Sequence, residues 1–230
     1  MRKKRRRAQR VNPRWVIGGI VAVIVVVVGL IAASLTSAKS ATTAIASSAL
    51  NECGGLECGQ ANAPVTIEVY ADFQCPYCAR ADATLQQLAP TYIDTGKVRL
   101  IFRNMPIIGP ESVLAAQAGE CAADQNKFWT YANYLYTHQA NENSGALSSG
   151  NLKEIAVRLG LDASTFNTCL DSGKHSAKVQ QELTEGQQRG VQGTPTFFIN
   201  GQRYEGALSY DQLATLIDAA QPRSTPTPSH

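Results

Sequence analysis

Histidine is scarce in this chain: three in 230 residues, scattered at positions 138, 175 and 230. That leaves little to complete a zinc site around the cysteines. Acidic residues are missing before position 15, where eight of the 21 basic residues fall (Arg2, Lys3, Lys4, Arg5, Arg6, Arg7, Arg10 and Arg14). The remainder carries 13 basic against 18 acidic residues, a net charge of −5. The formal +3 is therefore a terminal run on a mildly acidic body, which excludes a basic nucleic-acid-binding domain. No internal repeat is present, and no cysteine closely follows the first apolar run, so a lipoprotein-type attachment point is lacking. With 17% charged and 44% apolar residues, the chain is too apolar to be wholly disordered and reads as one globular domain with appendages. Six cysteines are too few for a small disulfide-stapled scaffold but enough for three pairs.

The head of the chain sets the compartment. Trp15 to Ser34 is twenty residues without a charge, long enough as a helix to cross the ~30 Å hydrocarbon core of a bilayer. This predicts a transmembrane helix. The basic segment 1–14 holds the N-terminus in the cytoplasm, so everything after residue 35 is expected outside, periplasmic or extracellular. The alternative is a cleaved signal peptide with a small-residue site at Ala44-Ile45-Ala46, although the apolar run exceeds the roughly 7 to 15 residues usual there. Residues 35–59 read as a tether holding Cys53 and Cys58, and 221–230 as a disordered tail.

Residues 60–220 alternate strand and helix signals. Val65 to Ala71 and Lys97 to Arg103 are β-branched and aromatic runs, with a helical pattern from Pro76 to about Thr91 between them. A segment of about 111–189, dense in Ala, Leu, Gln and Glu, predicts several helices with breaks near 141–150, Gly160 and Gly173. Thr196 to Ile199, the Asn200-Gly201 turn and Gln202 to Tyr204 predict a β-hairpin. Tyr210 to Ala220 closes the chain as an amphipathic helix.

The chemistry concentrates at Cys75-Pro76-Tyr77-Cys78. A Cys-x-x-Cys pair between a strand and a helix start can close a disulfide across one turn, with the first sulfur near unsatisfied backbone N–H groups that favour its thiolate. Pro76 suits the first helical turn, where its missing N–H costs nothing. Cys75 is expected to attack or be attacked, and Cys78 to resolve. The competing readings are a structural disulfide and half of a zinc site. Far along the chain, Thr194-Pro195 precedes a strand, so Pro195 is either an edge feature or a cis-proline placed for function.

Strand, Cys-x-x-Cys on a helix, then Thr-Pro before a hairpin and a final helix resembles the thioredoxin superfamily. The helical stretch between the halves resembles the DsbA-like exported thiol:disulfide oxidoreductases. The motifs are Asp72-Phe73-Gln74-Cys75-Pro76-Tyr77-Cys78, Ile108-Gly109-Pro110-Glu111-Ser112, Lys127-Phe128-Trp129 and Gly190-Val191-Gln192-Gly193-Thr194-Pro195. The resemblance implies an α/β thioredoxin fold with an inserted helical subdomain, here preceded by one transmembrane helix. It implies a cis Pro195 against the active-site disulfide and a Thr194 backbone that receives an extended substrate. It further implies a bridge between Cys121 and Cys169, against the alternative of two buried thiols. One departure stands out: the acid often found six residues before the first cysteine is replaced by Val69. Glu68 should face the other side of the strand, and Asp72 reads as a loop residue first and a proton relay second.

Cys53 and Cys58 are expected to close a small structural disulfide loop just before the domain; the alternatives are an accessory redox pair and free or intermolecular thiols. Phe128, Trp129, Tyr131, Tyr134 and Tyr136 read as core and surface of one helix. The expectation is a membrane-tethered dithiol oxidase acting on reduced exported proteins, recycled by a membrane thiol oxidant, with no cofactor, no metal and no nucleic acid. Its rivals are a reductase or isomerase kept reduced by a membrane donor, and a thioredoxin-fold binding module.

Overall fold

A computed structural model describes Leu50 and residues 53–222. The expected basic segment, transmembrane helix, signal cleavage site, most of the tether and all but the start of the tail lie outside these residues. Among the described residues no helix is long and apolar enough to cross a membrane.

Five strands form one sheet in the order β1-β3-β2-β4-β5. The central strand β2, Val65–Ala71, runs parallel to β3, Val98–Asn104, over seven residue pairs, from Val65 opposite Val98 to Ala71 opposite Asn104. Between them lies helix α1, Pro76–Leu88, whose buried residues Cys78, Ala81, Asp82, Leu85 and Leu88 recur at helical spacing. Pro90 follows within a short π-helical turn, Ala89–Ile93, and Gly96 at φ +73° reverses the chain toward β3.

The long middle segment is five helices: α2 Pro110–Ala123, α3 Phe128–Thr137, α4 Ser149–Arg158, α5 Ala163–Asp171 and α6 Ser176–Gln188. The breaks read from the sequence separate α3 from α4, α4 from α5 and α5 from α6. The α2–α3 break carried no glycine or proline; there Asn126 adopts φ +57°, a conformation asparagine tolerates. Strands β4, Thr196–Ile199, and β5, Gln202–Glu205, form the hairpin, with positive φ at both Asn200 and Gly201 as a type I′ turn requires. Helix α7, Tyr210–Ala220, ends the fold, its start capped reciprocally by Ser209 and Gln212.

One boundary moves. The tether was expected to run to residue 59, but Glu57–Cys58 is strand β1, antiparallel to β3 opposite Ile101 and Leu100. The pairing covers the otherwise open edge of β3, so the Cys53/Cys58 loop is built onto the sheet.

Strand alternation divides β2 between two faces. Val65, Ile67, Val69 and Ala71 enter the main core with α1 and the insertion, while Tyr70 packs with Met105, Val191 and Phe198 on the other side. Phe128, Trp129, Tyr131 and Tyr136 of α3 are buried against Phe73 and Phe102 or Phe166; Tyr134 stacks on His138 nearer the surface.

Candidate active site

Cys75 is the N-cap of α1 and Pro76 its first helical residue. The Cys-x-x-Cys thus sits where a strand hands over to a helix with its first N–H groups unpaired. Cys75 and Cys78 are both thiols here, and both are buried. The Cys75 sulfhydryl donates to the carbonyl of Thr194 across 3.2 Å, and the Thr194–Pro195 peptide bond is cis. Tyr77, Thr194 and Pro195 line one open groove of about 290 Å³, together with Gly193, Thr196 and Glu205. Tyr77 is more than half exposed on its rim, with the Arg80 guanidinium 4.1 Å over its ring. Residues 75–78, 194 and 195 are therefore brought together by folding, although Cys78 and Thr194 are 116 positions apart in the sequence.

The two thiols are pushed in opposite directions. A hydrogen bond from Cys78 outweighs burial and, with smaller help from the Thr194 side chain and the backbone N–H groups of Cys78 and Tyr77, lowers the Cys75 pKa to about 6. Burial, then Cys75 itself, raises Cys78 well above the ordinary thiol value. At neutral pH one proton is shared out unequally, with Cys75 the thiolate and Cys78 the thiol.

Asp72 holds the approach to the motif. Its carboxylate, 1% exposed, accepts from the backbone N–H groups of Gln74 (2.9 Å), Ile107 (2.8 Å) and Ile108 (3.0 Å) and from the Ser112 hydroxyl (2.6 Å). The Gln139 amide reaches across from beyond α3 to the carbonyls of Phe73 (2.8 Å) and Cys75 (3.0 Å). The insertion thus fixes the loop that carries Cys75. Asp72 acts here as a structural acceptor.

Glu68 lies on the face away from the dithiol, bound by Arg103 (3.1 Å) and Arg189 (2.9 Å). Beneath Cys78 instead lies Asp82, one turn farther along α1 and 5% exposed. Its neighbours include Cys78, Val69, Trp129 and Tyr136, around a cavity with about 10 Å³ open to the centre of a water molecule. Burial raises the Asp82 carboxyl to about 6 even though the Asn133 amide donates to it across 3.0 Å. Trp129 Nε1 and Tyr136 Oη are buried with no hydrogen-bond partner among the described residues. Sequence reasoning passed over Asp82, yet a signal was present: an acid four residues after Cys78, on the apolar face of an amphipathic helix.

The other cysteines lie apart from this groove and cavity. Cys121 of α2 is bonded to Cys169 of α5, with Cα atoms 5.9 Å apart, and Cys53 to Cys58, with Cα atoms 5.3 Å apart.

Comparison with known proteins places this arrangement. The thioredoxin family model matches residues 52–219. A probable disulfide bond formation protein D from Bacillus anthracis is 34% identical over 165 residues, which are 70% of this chain and 75% of that protein. A Na(+)/H(+) antiporter NhaA 3 from Salinispora tropica is also 34% identical, over 164 residues that make up 70% of this chain and 24% of the antiporter. The chain thus spans about a quarter of the length of the first curated relatives it matches. Among solved structures, oxidised BdbD from Bacillus subtilis superposes with a TM-score of 0.66 at 24% identity, covering 74% of this chain and 98% of that one.

Proposed function

This chain belongs to the DsbA-like thiol:disulfide oxidoreductases of the thioredoxin superfamily, and we propose that it is a membrane-tethered oxidase that introduces disulfides into exported proteins. The observation that carries the direction is the opposite displacement of its two thiols. A dithiol whose outer sulfur is stabilised as a thiolate is a weaker reductant than one without that asymmetry, so its disulfide is the more oxidising.

The exchange follows from that split. A substrate thiolate attacks Cys75 Sγ of the disulfide form, and the sulfur–sulfur electron pair leaves on Cys78. This gives a mixed disulfide through Cys75. The Cys78 sulfur is buried and takes a proton, for which Asp82, in the same cavity and with its pKa near 6, is the acid at hand. A second substrate thiolate then attacks the substrate sulfur of the mixed disulfide, and the electron pair leaves on Cys75, which needs no proton at neutral pH. The substrate has lost two electrons and the chain holds them as a dithiol. A membrane thiol oxidant takes them away. The open groove beside Thr194 and Pro195 admits an extended peptide through its backbone, which suits an enzyme serving many substrates.

Residues 15–34 anchor the domain and the basic segment 1–14 keeps their leading end in the cytoplasm. The deciding experiment is acid-quenched alkylation of living cells, which reads the state of Cys75 and Cys78. A pool held mostly as disulfide supports the oxidase. A pool held mostly as dithiol moves the assignment to a reductase or isomerase, and a disulfide that never exchanges moves it to a binding module.

A further inference from the structure

Away from the active site, four metal-binding side chains meet where α2, α5 and the turn into α6 come together. The candidate sulfur and nitrogen ligand atoms of Cys121, Cys169 and His175 all lie within 4.8 Å of one another. Asp124, the C-cap of α2, adds a fourth group: its Oδ2 is 2.8 Å from His175 Nε2 and 3.6 Å from Cys169 Sγ. We propose that, when Cys121 and Cys169 are reduced, these four residues form a tetrahedral zinc site.

The donor set and its spread fit that ion. With Zn–S near 2.3 Å and Zn–N or Zn–O near 2.0 Å, neighbouring ligand atoms of a tetrahedral site stand roughly 3.3 to 3.8 Å apart. Asp124 Oδ2 already stands at that distance from Cys169 Sγ, and reduction breaks the Cys121–Cys169 bond so that the two sulfurs can separate to it. Two thiolates, one carboxylate and a neutral imidazole carry −3, which Zn²⁺ reduces to −1. Lys174, whose Nζ lies 2.8 Å from the same Asp124 oxygen, offsets the remainder. The ligands are held by backbone as well: Asp124 N–H donates to the Glu120 carbonyl, and Lys174 N–H to the Cys169 carbonyl across the turn at Gly173. Entry is open, because Asp124, Cys169 and Lys174 line a surface cleft of about 570 Å³ with Thr165, Thr168 and Ser172.

The site is gated by oxidation state. Reduced, the two thiols release two protons as zinc binds. When a disulfide of another protein oxidises the pair, two electrons pass to that disulfide, the Cys121–Cys169 bond forms, and zinc leaves with its two sulfur ligands gone. Zinc and oxidation therefore compete for the same sulfurs. The active-site pair takes no part.

The test uses the full-length chain with Cys53, Cys58, Cys75 and Cys78 replaced by Ser, so that Cys121 and Cys169 are the remaining cysteines. Reduced with a phosphine and loaded with zinc chloride, it should retain one zinc per chain after gel filtration and lose it on oxidation. Cobalt in place of zinc should give thiolate charge-transfer absorption and the intense d–d bands of a tetrahedral site. His175→Ala and Asp124→Ala should each weaken zinc binding by at least about 10-fold. If the reduced chain is only marginally folded, zinc should still raise its Tm, since the site exists in the folded state. Retention of no zinc with an unchanged Tm overturns the proposal, as does equal retention in the His175→Ala and Asp124→Ala variants.

Discussion

Replacing Cys78 with Ala is the sharpest probe of the active-site electrostatics, because Cys78 supplies the largest contribution that lowers the Cys75 pKa. With that pKa near 6, roughly nine-tenths of Cys75 is thiolate at pH 7; at the unperturbed 9.0 the fraction is about one-hundredth. In the variant, burial still pushes the pKa up while Thr194 and two backbone N–H groups pull it down. The midpoint should therefore climb by at least about one unit toward the ordinary thiol range. The assay is ultraviolet absorbance of the thiolate against pH, checked by the pH dependence of alkylation. Single-pH alkylation rates are a poorer guide, because a less acidic thiol is a better nucleophile once ionised. A midpoint that stays near 6 refutes the assignment and moves the cause to the helix terminus.

The same ionisation carries through to the redox couple of the unaltered chain. Thiolate formation at Cys75 stabilises the dithiol relative to the disulfide above pH 6, so the sign is toward a more oxidising disulfide. At pH 7 the gain is about 30 mV at most, and solvent around the half-buried sulfur trims it. Below pH 6 the reduction takes up two protons and the potential should change by about 59 mV per pH unit; above it, one proton and about 30 mV. A plot of potential against pH with its break near 8 or 9 sinks the assigned asymmetry.

Three further outcomes follow from buried groups and cross-links. Asp82→Asn should stabilise the fold at pH 7 by about 3 kcal/mol, since a carboxyl raised from 3.8 to about 6 binds more protons folded than unfolded, so stability falls as pH rises through that window. Urea titrations at pH 4 and pH 7 check this, and the same variant should slow formation of the mixed disulfide at least about 10-fold. Asp72→Ala leaves the Ile107 and Ile108 N–H groups and Ser112 without their acceptor and should cost about 3 kcal/mol, while Asp72→Asn, which keeps an acceptor oxygen, should cost less. Cys121→Ser with Cys169→Ser opens a loop of sequence separation 48 and should lower stability by about 4 kcal/mol in the chain-entropy account, read as a drop in Tm under non-reducing conditions.

How much of this was legible depends on whether the information is local. Periodicity and turn chemistry located β2, β3, α1, the hairpin and α7, because a period of 2 or 3.6 and an Asn-Gly turn act within a few residues. Strand β1 was missed for the opposite reason: Glu57–Cys58 is two residues long, and only the edge of β3, more than forty positions away, makes it a strand. The α2–α3 break was missed because Asn126 supplies the positive φ where a glycine was the expected marker.

The acids divide along the same line. Alternation along β2 sufficed to turn Glu68 away from the dithiol, where Arg103 and Arg189 bind it. Asp72 read as a loop residue because its partners, the 107–108 backbone and Ser112, arrive from the insertion, and a loop carboxylate becomes a buried acceptor only when they do. Asp82 lay within reach of local reasoning: Cys78 and Asp82 are one helical turn apart, and helical spacing places both on the buried face of α1. A carboxyl on that face has either a cation or a raised pKa, and its hydrogen-bonding partners are the neutral amides of Asn133 and Gln86. Absence of an acid from position 69 is thus compatible with an acid in the same cavity, supplied by the helix that carries the resolving cysteine instead of by the strand beneath it.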